Sequence, residues 1–441
     1  MKRRWTLVGT LGLLLIAVIG TARAQDMLRL SLREAIARGV ETSHRLGELE
    51  ALRLARAVSV DSIRAGKMPQ VTLIGGYQRT NHVDEFGIPQ PNGVVRIIYP
   101  DIPDNWRSRL DMQWSAYTGG RVEALTRAAQ AEAEAARNDL QTAATDLRFE
   151  IARAYWSLVT ARQNVVVVEQ SVRRVEAHLA DARARFEAGF LSPNDVTAAQ
   201  AQRSLQEGLL IETRNAASVA SLALARLVGA PPSSTIEPTD VLDSASELPA
   251  DPALLVDEAR QRRSDRKAVE ERIRAGGERW FAAAAGSRPV LAIGAGVDYA
   301  RPNPRIFPRA GEWQHSWDVG ITASWSIFDG GRTKAEAAAA EALTDALRQR
   351  LGDLDAALEF DVRQRWLDID SSRARSRAAM DAVKSAEETT RVLRDRFEVG
   401  VATSTDVLDA QSVLLDAALQ RTRALAASRI AEAGLDRVLG R

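Results

Sequence analysis

The sequence predicts a mainly α-helical fold with a membrane β-barrel. Three observations lead to this prediction: the 441-residue chain repeats itself once, each copy has strand segments in which apolar and polar residues alternate, and each copy has a helical pattern too long for a compact domain. The repeated unit is predicted as a helix, two strands, a long helix and a second helix. We expect the copies at residues 25–229 and 251–441, joined by a Pro- and Ser-rich linker at 230–250.

Residues 1–24 are predicted to be a secretory signal peptide. Basic residues precede an apolar run from Leu7 to Ile19, and small residues follow it. That run is shorter than the roughly 20 residues that a helix needs to span a bilayer, and no later stretch approaches this length. We therefore expect a mature chain beginning at Gln25 that helices do not anchor in a membrane.

The composition excludes several kinds of site and partner. The chain has no cysteine, which excludes a disulfide framework, a thiolate metal site and a cysteine nucleophile. Its formal net charge of +1 gives no sign of a nucleic-acid partner. Aromatic residues make up only 5% of the chain and alanine is abundant, which favours long helices packed through small side chains.

The four histidines show no pattern typical of a metal or catalytic site. His82 lies near Asp84 and Glu85, but a solvated polar loop explains this group better than a periplasmic enzyme or metal binder does. His44, His178 and His315 are scattered, without metal-ligand spacing. No catalytic residue, metal or cofactor is predicted.

Matching residues place the two copies in register. The matches run at one constant offset from the second strand of each copy to the end of the chain. They include Trp106 with Trp317, Trp114 with Trp325, Gly119-Gly120-Arg121 with Gly330-Gly331-Arg332, Phe186 with Phe397, and Asp195 with Asp406.

Four strands are predicted, two in each copy. Trp317 to Ile327 alternates without a fault and Leu110 to Ala116 does the same, while Val71 to Gln78 and Leu291 to Tyr299 alternate less strictly. Alternation with aromatic ends is typical of membrane barrel strands, although an ordinary soluble sheet with one wet face is the alternative. The Pro-containing segments 80–105 and 300–316 are expected to be surface loops.

Four strands are too few to close a barrel. Even about eight strands leave room only for side chains in the interior. Because an open strand edge is not tolerated in lipid, several chains must contribute to one barrel. The strand pattern therefore predicts an oligomer without fixing its number.

A very long helix is predicted from Val122 to Phe186. Apolar or small residues recur there at three- and four-residue steps, and at 1.5 Å per residue the helix would extend about 100 Å. A dimeric structural coiled coil would fit this pattern equally well. The export signal and the strands count against it.

Each copy should end in a tight helical hairpin. Gly189 and Gly400 follow helical patterns and suit the left-handed position that ends a helix. A new helix start follows each glycine, with Ser192 or Thr403 as the N-cap. The two hairpin ends are expected far from the strands.

The carboxylates at these helix starts have two explanations. Asp195 and Asp406 occupy a position where a carboxylate stabilises the N-terminus, and for Asp195 this can be the sole role. Asp409 lies one turn further in, beyond capping range, and the first copy has Ala198 at that position. Only the second hairpin is therefore expected to present paired carboxylates.

The chain resembles the TolC family of outer-membrane efflux proteins. The resemblance rests on the doubled Phe-x-x-Gly-x-x-(Ser/Thr)-x-x-Asp-Val motif that begins at Phe186 and Phe397, and on the run from Asp406 to Gln411. It implies a homotrimer in the outer membrane of a Gram-negative bacterium, with a twelve-stranded barrel in lipid and a long helical tunnel in the periplasm. It further implies an exit duct for an efflux or type I secretion system, docked to a periplasmic adaptor protein and an inner-membrane pump.

The resemblance also implies functional positions at the hairpin tips. Asp406 and Asp409 would form the channel constriction. The adaptor would contact Phe186, Gly189, Ser192, Asp195, Phe397, Gly400 and Thr403. Some relatives hold the tip closed with an arginine and an aromatic hydroxyl, but the matching positions here are Ala402 and Phe397, so that polar latch is missing.

One alternative function stays open at this point. A periplasmic adaptor protein would also have a signal peptide, a helical hairpin and strands. It would normally show one hairpin and compact soluble β domains, whereas this sequence predicts two hairpins and amphipathic strands with tryptophan near their ends.

Overall fold

A computed structural model describes residues 27–243 and 251–441 of the protein. The predicted signal peptide and the end of the predicted linker lie outside these residues. The helices are α1 (Leu32–Thr42), α2 (His44–Arg64), α3 (Arg121–Glu187), α4 (Pro193–Leu227), α5 (Pro252–Arg262), α6 (Ser264–Ala284), α7 (Arg332–Glu398) and α8 (Ser404–Leu439). The strands are β1 (Met27–Leu30), β2 (Gln70–Arg79), β3 (Phe86–Pro89), β4 (Val95–Tyr99), β5 (Asp104–Tyr117), β6 (Thr235–Pro238), β7 (Val290–Arg301) and β8 (Gln314–Ser324).

Both halves of the chain follow the same order of main elements. In each half, a short helix and a longer one lead to two strands of the four-stranded sheet, a 67-residue helix and a helix of 35 or 36 residues. The long helix predicted from Val122 to Phe186 is observed as α3, and α7 is its counterpart. At 1.5 Å per residue each of these helices is about 100 Å long. Among the described helices, none is both long enough and apolar enough to cross a membrane.

One antiparallel sheet combines the strands of both copies. Its order is β2-β5-β7-β8, so the central pairing of β5 with β7 joins the first copy to the second. In the described residues β2 and β8 each pair on one side only, which leaves two open edges. The mainly helical fold with a small β part is confirmed.

The last strand is displaced from its predicted bounds. We predicted Trp317 to Ile327, but β8 begins earlier and ends at Ser324. Its partner β7 starts at Val290, which pairs with Ser324, so the backbone beyond Ser324 has no neighbour with which to pair. The Trp325 indole instead donates a 2.9 Å hydrogen bond to the carbonyl of Ser287. Trp114 bonds Lys67 in the same way in the first copy, at 2.8 Å.

The segment 80–105 is more ordered than the predicted surface loop. It contains the β3–β4 hairpin, whose side chains are mostly exposed, and β5 already begins at Asp104. The second copy has no described hairpin between β7 and β8. The two copies therefore differ most in sequence length at this end of the sheet.

The largest apolar core lies midway along α3. Tyr155 is fully buried there beside α1 and α4, and its hydroxyl donates to the Leu30 carbonyl at 3.0 Å and accepts from the Asp240 backbone amide at 3.1 Å. Burial raises the pKa of Tyr155 to about 12. These bonds fix β1 against β6, so the predicted linker contains a short parallel strand rather than irregular chain throughout. A second core of α5, α7 and α8 occupies the matching place in the other copy.

Candidate functional site at the helical tips and the strand sheet

The two helical hairpins reverse direction with the same backbone geometry. Gly189 has a φ of 81° and Gly400 a φ of 77°, the left-handed conformation that glycine adopts without penalty. After Gly189, the Phe190 amide donates to the Arg185 carbonyl at 2.8 Å, which satisfies a carbonyl at the end of α3. The corresponding bond after Gly400 is made by Val401 at 2.9 Å. Both turns are Schellman motifs, as the glycines predicted.

Each second helix of a hairpin starts with a capping box. The Asp195 carboxylate accepts from the Ser192 hydroxyl at 2.7 Å and from its amide at 3.2 Å. The Asp406 carboxylate accepts from the Thr403 hydroxyl at 2.7 Å and from its amide at 2.8 Å. These bonds hold the pKa of Asp406 below its usual range, first through the backbone amide and then through the hydroxyl. Asp406 is therefore ionised near neutral pH.

The second hairpin alone presents two exposed carboxylates in this arrangement. Asp406 and Asp409 are both exposed and lie one turn apart on α8. The matching residue on α4, Ala198, packs against the apolar cluster between the helices. A wider negative surface is thus available on α8 than on α4.

Contacts between the two hairpins converge near the tip. His178 of α3 and Ser404 of α8 are buried, with 2.8 Å between His178 Nε2 and Ser404 Oγ. The ring of Phe397 lies 5.1 Å from the His178 ring, and the Arg185 guanidinium lies 4.9 Å from the Phe397 ring centre. Arg185 also donates to the carbonyls of Phe397 at 3.2 Å and of Glu398 at 3.1 Å. These contacts hold the turn of the second hairpin against α3.

The two motif phenylalanines occupy different environments. Phe186 is 42% exposed, whereas Phe397 is only 3% exposed because it lies within the contact between the hairpins. The other predicted adaptor-contact residues are exposed or half-buried, namely Gly189, Ser192, Asp195, Gly400 and Thr403. Phe397 thus contributes to the shape of the tip from within, and Phe186 can contact a partner directly.

A groove of about 750 Å³ runs between the two tips. Arg185 and Asp195 line it together with residues on both sides of Gly400. Phe190 and Val399 also line it and are strongly exposed, as is the neighbouring Val401. The sequence motif did not identify these three residues, because their exposure follows from the turn geometry.

An ionic network crosses three strands of the sheet. Arg109 on β5 bonds Asp298 on β7 at 2.5 Å and Asp318 on β8 at 2.9 Å. It also bonds Asp111 on its own strand at 2.9 Å. Gly296 lies beneath the guanidinium, where any Cβ would overlap it. No sequence pattern indicates this network, because its members are distant in the chain and converge only through strand register.

The polar loop around His82 is a structural turn. His82 Nδ1 lies 2.6 Å from an Asp101 oxygen, and the Val83 amide donates to the other oxygen at 3.1 Å. Glu85 accepts from the Asp101 amide at 3.3 Å. Within residues 27–243 and 251–441, no group of three or more histidines or acids is arranged to hold a metal ion.

Comparisons with known proteins match nearly the whole chain. The family model described as "Outer membrane efflux protein" matches residues 36–230 and 255–441. The outer membrane protein TolC of Vibrio cholerae serotype O1 is 26% identical over 390 residues, covering 88% of this chain and 85% of that protein.

Several solved outer-membrane channels share the fold. The structure of CusC superposes with a TM-score of 0.80 at 16% identity, covering 93% of this chain and 92% of that one. VceC from Vibrio cholerae gives 0.78 at 20% identity, with 93% and 96% covered. The open state of MtrE from Neisseria gonorrhoeae gives 0.75 at 18% identity, with 93% and 88% covered.

Proposed function

The chain belongs to the outer membrane efflux protein family and is an outer-membrane exit duct of a Gram-negative cell, and we propose that three copies form one duct. The sheet carries this proposal. Its two open edges, β2 and β8, have no partner within the described residues, and each copy supplies four strands. Three copies joined edge to edge would give a closed barrel of twelve strands without an exposed edge in lipid.

The register of the sheet separates an apolar face from a polar one. Leu73, Leu110, Val297 and Trp317 pair across the four strands in one row, and all four are exposed in the single chain. The adjacent row faces the other way and contains Asp111 and Asp318 of the ionic network. A barrel with its apolar face in lipid therefore has the Arg109 network in its lumen.

We place the narrow end of the duct at the second hairpin. Asp406 and Asp409 are exposed on α8, and three copies would arrange six carboxylates around one axis. Such a ring favours cations and binds multivalent cations strongly enough to block conduction. Conduction is passive in this scheme, so the driving force must come from a partner in the inner membrane.

The groove between the two tips is the proposed docking site for a periplasmic adaptor, which would connect the duct to an inner-membrane pump. Exposed apolar residues in and next to this groove favour a protein partner. Phe186, Gly189, Ser192, Asp195, Gly400 and Thr403 lie at these tips, as does the buried Phe397. The alternative that this chain is itself the adaptor is wrong, because the matched family is that of the outer-membrane component.

Planar-bilayer conductance of the purified mature protein, measured together with its mass in detergent, tests the proposal. We expect a stable trimer with a small, cation-selective conductance. A soluble monomer without conductance would contradict both the barrel and the duct. A conducting oligomer of another size would retain the duct and refute the twelve-stranded barrel.

A further inference from the structure

A buried histidine fixes the start of the helix that carries the proposed constriction. His178 is 6% exposed and Ser404 is 1% exposed, and their polar atoms lie 2.8 Å apart. Ser404 is the first residue of α8 and lies two positions before Asp406. Any movement of α8 away from α3 must break this contact.

The direction of that constraint follows from helix geometry. Successive residues are rotated by about 100° around a helix, so Asp406 lies about 160° and Asp409 about 140° from Ser404. The His178 contact is therefore on the face of α8 opposite to the two carboxylates. If the carboxylates face the pore axis, His178 holds α8 from behind and restrains it from moving inward.

The surroundings of the imidazole favour its neutral form. Asp181 on α3 and Asp195 at the start of α4 favour the charged form of the imidazole, whereas Arg185 on α3 disfavours it. The elements α7 and α8 contribute the Phe397 ring and the Ser404 hydroxyl. Burial is the largest effect and lowers the pKa of His178 below its usual range.

We propose that His178 is a positioning residue of the constriction: its neutral side chain anchors α8 to α3 and keeps the constriction wide. Protonation would place a charge in a buried site, so conformations in which α8 has left α3 and the ring is hydrated become favourable. The anchor is fully present above the ordinary histidine pKa of about 6.5 and weakens as pH falls below it. This inference rests on the proposed duct with Asp406 and Asp409 at its narrow end.

The test is single-channel conductance of the full mature protein between pH 8 and pH 5, for the wild type and three variants. His178→Phe keeps an aromatic ring but loses the polar contact, Ser404→Ala removes the hydroxyl, and His178→Gln keeps a polar side chain that does not titrate in this range. We expect the wild-type conductance to fall by about half or more as the anchor is protonated below pH 6.5. The conductance of His178→Phe and of Ser404→Ala should be low at every pH. The conductance of His178→Gln should stay at every pH near the value that the wild type has at neutral pH.

The outcomes separate the anchor from the duct. Conducting trimers in which His178→Phe and Ser404→Ala equal the wild type, or conduct more, would overturn the anchor while retaining the duct. A pH response that persists in His178→Gln would assign it to another group and also overturn the anchor. Absence of conductance in the wild type would overturn the proposed duct and the anchor with it. Ser404→Ala removes one atom, so it keeps the test decisive should His178→Phe fail to assemble.

Discussion

The first and second hairpins share their turns but differ in how they pack. Both turns have a left-handed glycine and a capping box, which neighbouring residues alone can form. Yet His178 is buried while the matching Thr389 is exposed, and Ser404 is buried while the matching Pro193 is exposed. Duplication therefore preserved the local geometry, and the residues that join one hairpin to the other diverged.

The largest expected difference between the hairpins concerns the motif phenylalanines. Phe397→Ala should lower the free energy of unfolding by about 3 kcal/mol or more, because it empties a buried site between the helices. Phe186→Ala, at an exposed site, should lower it by less than about 1 kcal/mol. Denaturant midpoints of the two purified variants, followed by helical circular dichroism, measure this. Equal losses would show that the two hairpins pack alike in the assembled protein.

The carboxylates should distinguish the hairpins by function. Asp406→Ala combined with Asp409→Ala is expected to raise the trivalent-cation concentration needed for block by about tenfold or more, since the charge at the constriction is removed. Asp195→Ala, in the other hairpin, serves as the matched control and should leave block unchanged. Block that persists in the double variant would remove these two residues from the constriction.

The capping boxes should show how far the hairpins remain alike. Ser192→Ala and Thr403→Ala each remove an N-cap hydroxyl, and each should lower the free energy of unfolding of the protein by about 1 kcal/mol. The same denaturant measurement detects both losses. A much larger effect at Thr403 would mean that this cap also supports the neighbouring Ser404 contact with His178.

The smallest expected effect concerns how the stability of the protein depends on pH under acidic conditions. The pKa of Asp406 is lowered by its bonds to Thr403, so its contribution to stability is present above the ordinary aspartate pKa and is lost as pH falls through the lowered value. We expect Asp406→Asn to flatten the stability profile below about pH 4. The matched variant Asp195→Asn serves as the comparison. If the stability of Asp406→Asn depends on pH as that of the wild type does, the Asp406 capping box contributes no pH dependence.

Much of the fold followed from local pattern. The long helix from Val122 to Phe186 and the hairpin turns at Gly189 and Gly400 were predicted, because helical periodicity and the left-handed preference of glycine act over a few residues. The assignment of Asp406 and Asp409 to a constriction stays a prediction, since it concerns an axis shared by several chains. The end of β8 was misplaced, because a strand stops where its partner stops and the partner lies elsewhere in the sequence.

The sequence by itself determined the repeat, the helix lengths, the turn chemistry and the strand alternation, all of which arise between residues close in the chain. Only the tertiary structure decided that Arg109 reaches Asp298 and Asp318 across Gly296, and that His178 meets Ser404. These partners are roughly 190 to 230 positions apart, and register and helix packing bring them together. Patterns among neighbouring residues do not indicate such contacts, because each of these side chains taken alone could equally well be exposed to solvent.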